Sequence, residues 1–372
     1  MVQPIRTVHL TFTPPPDGSV DPRAFREGLS AVVQVGRHLW LACDETATLE
    51  RLTYLGEGRW GEHRTWPLAD FVDLPGGGDE EVDVEGLAWS PPYLWLVGSH
   101  GRTRARPDGG DGDAGDAEQI ERLAKVTTAD NRYILARIPL ADDEQGAGQV
   151  PVRRMPDPTR PSIERTAARL KGDGRRGGLM KALEDDPHLR RFLKVPGKDN
   201  GFDIEGLAAD GERLFLGLRG PVLRGWAVVV EVEVKEDDEE GLLALRRIGP
   251  RKRRYRKHFL DLDGLGVREL AEDGDDLLVL AGPTMDVRAP AAVFRWHGAL
   301  RAENETIVDR RKLTKAMDLP HDVDGGRDHP EGVCLFYGGG LPPAILVVYD
   351  AASRHRLDDH GGVRADVFAL GG

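Results

Sequence analysis

Val84-Glu85-Gly86-Leu87-Ala88-Trp89-Ser90-Pro91-Pro92-Tyr93-Leu94-Trp95-Leu96-Val97-Gly98 is the stretch from which the architecture can be read. A short strand, Val84 to Trp89, meets the turn signal Ser90-Pro91-Pro92 and gives way to an apolar run of buried-strand length. After an insertion come Tyr133 to Ile138 and a more polar strand near Val150-Pro151-Val152-Arg153, which makes four strands in all. The opening phrase, a Glu before a small or aliphatic run, recurs along the chain. The copies are Glu27-Gly28-Leu29-Ser30, Glu85-Gly86-Leu87-Ala88, Glu205-Gly206-Leu207-Ala208, Glu269-Leu270-Ala271 and Glu331-Gly332-Val333, at intervals of 58, 120, 64 and 62 residues. A period of this size marks a repeat architecture.

The other units carry the same apolar runs: Leu39 to Ala42, Leu214 to Leu218 with Ala227 to Val234, Leu277 to Leu280 with Ala292 to Trp296, and Ala344 to Tyr349 with Ala365 to Leu370. The last unit ends without a fourth strand, while Arg6 to Phe12 stands spare ahead of the first Glu. An all-β, five-bladed β-propeller closed by the N-terminal strand accounts for both, and closure removes exposed sheet edges. The 120-residue interval leaves six blades as the alternative. Its content favours two insertions in one blade: a Gly/Asp-rich loop with a short helix at 101–130, and a helical cap at about 155–200. The chain then reads as a single domain over residues 1–372.

Bulk composition narrows the function classes. Apolar residues make up 40%, enough for a substantial core, and no uncharged apolar stretch of about 18 residues predicts a membrane span. Met1 to Leu10 has no signal-peptide core, and the only cysteines, Cys43 and Cys334, sit in apolar runs, so a cytoplasmic protein with buried thiols is expected. The net charge of −12 argues against nucleic-acid binding. The basic run Arg251 to His258 follows the acidic run Glu236 to Glu240, and the two are expected to solvate one hairpin or pair across it.

In an up-and-down blade the repeated Glu, at the start of the innermost strand, faces one mouth of the central channel. Both insertions emerge at that mouth, and residues 153–198 carry 13 Lys/Arg against 6 Asp/Glu. A basic cap over an acidic throat suits a small anionic ligand beside a bound cation; a protein partner is the other expectation. Carboxylates crowded on one axis need a metal, paired arginines or shared protons. Ca²⁺, or another divalent cation, takes about six to eight oxygen ligands and suits such a ring. The candidate metal ligands are Glu85, Glu205, Glu331 and Glu27, with Asp83 and Asp203 from the Asp-x-Glu pairs. For a metal-assisted hydrolase of an ester, phosphoester or lactone, His100 would be the general acid/base, and Arg102 and Arg219 would orient the substrate. The opposing reading is a non-catalytic ligand- or protein-binding scaffold, in which the glutamates accept bonds from backbone amides or from Arg26 and Arg268 and lock blade to blade. Glu27 and Glu269, each following an Arg, fit that reading best. No P-loop, Rossmann or His-Glu-x-x-His pattern occurs, and Gly98-Ser99-His100-Gly101 lacks the spacing of a nucleophile elbow.

Asn200-Gly201-Phe202-Asp203-Ile204-Glu205-Gly206-Leu207-Ala208, followed by Leu216 to Pro221, resembles a bacterial propeller family described only as a domain of unknown function; Val82 to His100 and His329 to Val333 extend the resemblance. More distantly the Glu-Gly-Leu phrase is similar to esterase-like phytase, SdiA-regulated and gluconolactonase-type propellers. The gluconolactonase resemblance implies a divalent ion held by a Glu at the Glu-Gly element. Glu27, Glu85, Glu205 and Glu331 match it, Glu269 does not, and the Asn and Asp ligands of that family have no clear counterparts.

Overall fold

The computed structural model describes residues 2–13, 24–78, 80–107, 115–143, 146, 148–285, 290–320, 328–338, 340–358 and 361–371. Within them the chain is a β-propeller built of antiparallel meanders. The first strands of the meanders are Leu29–Val35, Val84–Ser90, Asp203–Asp210, Gly266–Asp273 and His329–Phe336. Each packs on the first strand of the next meander, and the last packs on Leu29–Val35, which closes an inner ring. Second strands such as His38–Cys43 and Tyr93–Gly98 are buried at every position because a neighbouring meander covers each face. Trp40, Trp95 and Phe215 are core residues there. Several first-to-second-strand hairpins close on two residues, with a glycine of positive φ leading (Gly211, Gly274), the geometry that matches strand twist.

The fifth meander takes its outer strand from the N-terminus: Arg6–Thr11 pairs antiparallel with Gly362–Ala369. Thr7 donates from Oγ1 to Asp366 at 3.1 Å, and Tyr349 donates to the other oxygen of the same carboxylate at 2.9 Å. Outer strands also pair parallel across some seams between meanders. His9 and Leu10 face Arg59 and Trp60 of the first meander, Arg169 and Leu170 face Leu242 and Leu243, and His258 to Leu260 face Thr306 to Val308.

The first insertion carries the expected helix, Asp116–Ala124; most of its Gly/Asp-rich part, residues 108–114, lies outside the described residues. The helical reading of 155–200 needs correction. Only Gly178–Leu183 is α-helical, whereas Glu164–Thr166 and Ala168–Leu170 are extended. Gly172, Gly174 and Gly177 break helical continuity, and Ala168 and Leu170 alternate with Arg169 at the period of a strand. That strand shares the outer position of the second meander with Gln149–Pro151. Nor does the insertion only cap the mouth. Leu179, Leu183 and Leu189 are buried in one cluster with Trp95, Phe202 and Leu214, filling the wedge between the second and third meanders.

The basic run is likewise not a solvated hairpin. Lys257 and His258 are buried; Lys257 reaches Asp186 of the insertion at 2.5 Å, and His258 reaches the buried Glu231 at 2.9 Å. The acidic residues at 236–240 pair elsewhere: Glu236 with Arg137, Asp237 with Lys171, and Glu240 with Arg154.

Candidate functional site

In each first strand one residue is skipped by the register with its partner strand. The pairing jumps from Leu29 to Ala31, Val84 to Gly86, Ile204 to Gly206, Val267 to Glu269 and Pro330 to Gly332. The bulged residues are therefore Ser30, Glu85, Glu205, Arg268 and Glu331. A bulge bends the strand and re-aims a side chain. The glycine after it serves a second need, close approach of the neighbouring inner strand. A Cβ on Gly86 would come within 2.7 Å of Leu207, and one on Gly206 within 3.0 Å of the Glu269 backbone.

This geometry sorts the five glutamates. Glu85, Glu205 and Glu331 occupy the ring position. Glu27 lies three residues upstream in the short helix Ala24–Glu27, and its carbonyl accepts from the Ala351 amide at 2.6 Å. Glu269 lies one residue downstream, where its Oε1 accepts the amides of Leu207 (3.1 Å) and Leu270 (2.9 Å). That contact ties the third meander to the fourth, and burial raises the Glu269 carboxyl well above its ordinary pKa. Ser30 and Arg268 were hidden by aligning on Glu. The apolar residue before each bulge (Leu29, Val84, Ile204, Val267) is the signal that would have found them.

Charge is distributed unevenly around the ring. Arg268 stands between two glutamates, with Nε 2.9 Å from Glu205 and Nη2 on Glu331. Arg219 places Nη1 2.6 Å from Glu205 and Nη2 on Asp203. Asp83 is held by Arg132 at 2.5 Å. Ser30 donates to the Val84 carbonyl at 2.6 Å. Glu85 has no cation or hydrogen-bond partner among the described residues. Burial, then the nearby Asp83, Glu205, Asp44 and Asp203, push its carboxyl well above the ordinary range. Asp44, at the end of the second strand of the first meander, is pushed up to about 8 by burial and then by Asp350 and Asp83; its Oδ1 is buried without a partner among the described residues.

The remaining candidates stand as follows. His100, at φ +53°, is buried, and its Nδ1 lies 2.9 Å from the Gly98 carbonyl. Burial lowers its pKa to about 4, so it is neutral at pH 7, and it lines a small cavity with Tyr133, Arg169 and Met180. Ser99 is fully buried, with its Oγ accepting from Arg132 Nε at 3.2 Å. The Arg102 carbonyl accepts from the Gly197 amide at 2.9 Å, so the two insertions meet; Gly101 and Gly197 both lie against the Asp203 carboxylate. Arg132, which no motif marks, is brought to the mouth by the end of the first insertion.

Among the described residues, no three His, Cys, Asp or Glu side chains assemble into a set that could hold a metal ion. Arginines already lie on Glu205, Glu331, Asp203 and Asp83, so the residues present do not fit a Ca²⁺ centre. The charge excess of the second insertion is also partly spent locally: Arg165 pairs with Asp157, Lys171 with Asp237 and Arg175 with Asp130.

Asp44 makes a stability prediction. Its folded-state pKa of about 8 exceeds the unfolded value of about 3.9, so between these the folded chain holds a proton that the unfolded chain releases. Stability therefore falls as pH rises through that window, and the cost is complete above pH 8. Asp44→Asn should leave stability unchanged near pH 4 and raise it by about 1–2 kcal/mol at pH 9, allowing for partial exposure. Urea denaturation at the two pH values measures the difference; an equal effect at both would contradict the assignment.

The sequence pattern of a family described as "Protein of unknown function (DUF3616)" matches residues 28–366. No curated protein matches the chain in sequence. Similar solved structures include Myxococcus xanthus glutaminyl cyclase, with 12% identity over 98% of this chain and 100% of that one and a TM-score of 0.38. The PQQ-bound aldose sugar dehydrogenase of Streptomyces coelicolor is 12% identical over 99% and 98% of the two chains, with a TM-score of 0.36. Bacillus subtilis arabinanase Arb43A is 11% identical over 92% and 94%, with a TM-score of 0.37. Likeness at this level carries no argument about activity. No helix among the described residues is long and apolar enough to cross a membrane.

Proposed function

The chain belongs to the DUF3616 family, and we propose that it is a five-bladed binding propeller whose channel mouth takes a small ligand bearing a cationic nitrogen. One observation carries the reading: among the described residues Glu85 is the ring glutamate that no arginine contacts, Arg132 and Arg219 acting on it only from a distance, while Asp83, Glu205 and Asp44 crowd it. Glu205 and Glu331, clamped by Arg268, are structural on this reading, and the ligand's cation supplies at Glu85 and Asp44 what Arg268 supplies to the other two. A hydrogen-bonding ammonium or guanidinium satisfies carboxylates without the multidentate oxygen cage that Ca²⁺ requires. His100 and Ser99 are buried and bonded inward, so neither is offered as a catalytic group.

Agmatine, spermidine and CaCl₂ can be compared by calorimetry at pH 6 and pH 9, with sodium chloride matching ionic strength. The amines should bind about tenfold or more tightly at pH 9, where the Asp44 carboxyl ionises without the ligand's help, and binding should be lost in Glu85→Gln/Asp44→Asn. Absence of amine binding, or binding indifferent to the double substitution, would sink the proposal. A response to CaCl₂ alone would return the metal reading to first place.

A further inference from the structure

Away from the mouth, the outer edge carries a cleft of about 230 Å³ where the second meander meets the third. Phe71, Val72 and Asp73, from the connection after the first meander, form one wall. Arg153, Arg154, Thr166 and Arg169 line it from the insertion, and Glu240 to Leu242 close it from the third meander. Its three arginines differ in what holds them. Arg154 is neutralised, with Glu164 at 3.3 Å and Glu240 at 2.9 Å.

Arg153 and Arg169 are held by carbonyls instead. Arg153 donates from Nε to the Asp70 carbonyl and from Nη2 to that of Ala69 at 3.2 Å. Arg169 donates from Nη1 to the carbonyls of Gly172 (2.9 Å) and Leu170 (3.3 Å). Its Nε is buried and has no hydrogen-bond partner among the described residues. Carbonyls fix the direction of a guanidinium but leave its charge in place. The cleft is therefore lined by two arginines with no carboxylate on either among the described residues, Arg169 standing between it and the cavity at His100, and the cleft's one carboxylate that Arg154 does not engage is that of Asp73. Elsewhere in the insertion Arg165, Lys171 and Arg175 sit on acids.

We propose that this cleft binds a small oxyanion, a carboxylate or phosphomonoester carrying a short hydrocarbon part. Arg153 and Arg169 take the anion, with the Thr166 hydroxyl available as a further donor, because guanidinium forks match carboxylate and phosphate oxygens. Phe71, Val72 and Leu242 face the hydrocarbon. The volume has room for an anionic group with a short hydrocarbon part.

The probes are inorganic phosphate, glycerol phosphate and butyrate, titrated by calorimetry at constant ionic strength with sodium chloride as the control. At least one oxyanion should bind where chloride does not, and glycerol phosphate should bind more tightly than inorganic phosphate. Arg153→Gln and Arg169→Gln should each weaken binding about tenfold, and together should abolish it. Should Arg169→Gln fail to fold, the exposed Arg153→Gln and the near-isosteric Thr166→Val carry the same test. No binding of any probe by the wild type, or undiminished binding in the variants, would overturn the assignment.

Discussion

Arg268→Leu is expected to destabilise the protein by about 3–5 kcal/mol, read as a lower urea midpoint at pH 7 with little change in slope. Arg268 and Glu205 are 7% and 4% exposed, so the substitution leaves the buried Glu205 with Arg219 alone and the half-buried Glu331 with no cation among the described residues. The loss reflects that orphaned charge more than the net worth of the ion pairs. The triple variant Arg268→Leu/Glu205→Gln/Glu331→Gln should therefore recover a large part of it, because the same cycle removes the charges that were stranded. Arg268→Lys should fall between, since an ammonium cannot span two glutamates with a planar fork. A triple variant no more stable than Arg268→Leu would show that the arginine acts through packing of its aliphatic stem.

The second large effect belongs to Asp186. Its carboxylate accepts from Tyr255 at 2.6 Å, from Lys257 at 2.5 Å, and from the amides of His188 (2.9 Å) and Leu189 (3.1 Å). Burial alone would raise its pKa, but the hydrogen bonds from Lys257 and Tyr255 prevail and hold it below the ordinary value. Asp186→Ala should cost about 3–5 kcal/mol at pH 7 by leaving the Lys257 ammonium buried and unpaired. A depressed carboxyl contributes stability that is full above its unfolded pKa of about 3.9 and is lost as pH falls through the lower folded value. The gap between wild type and Asp186→Asn should accordingly be largest near neutrality and shrink below pH 4. Limited proteolysis at pH 7 should cut the variant first within residues 184–198. Protection equal to wild type would mean that the leucine cluster alone fixes the insertion.

Much of the fold was legible because its signals are local. Runs such as Leu94-Trp95-Leu96-Val97 announce buried strands, and the spare strand at Arg6 to Phe12 announces how the last meander is completed. The helical reading of 155–200 failed because Leu179, Leu183 and Leu189 carry a helical period whose burial is supplied by other meanders, not by one continuous helix. The ring was half legible. Glu85, Glu205 and Glu331 share a phrase, but Ser30 and Arg268 share only a backbone position with them, and a bulge leaves no residue type behind. Arg268 is legible in the sequence as a partner for a glutamate, but not as a member of the ring. The cleft at Arg153 and Arg169 gave no sequence signal, since its walls come from segments about 80 residues apart on either side.

The parallel edge pairs described for the outer strands join the fifth meander to the first, the second to the third, and the third to the fourth. Among the described residues no such pairing joins the first to the second or the fourth to the fifth. Mechanically the molecule is two stiff arcs meeting at two joints. Arg268 reaching Glu331 is a clasp across one joint; across the other, Ser30 reaches the Val84 carbonyl near the axis, and Arg51 and Arg64 reach the Gln149 carbonyl and Asp143 further out. Asp44 and Glu85 belong to opposite arcs at that second joint. An occupant held by both carboxylates would work as a rivet, stiffening the ring at the place where its own backbone does not.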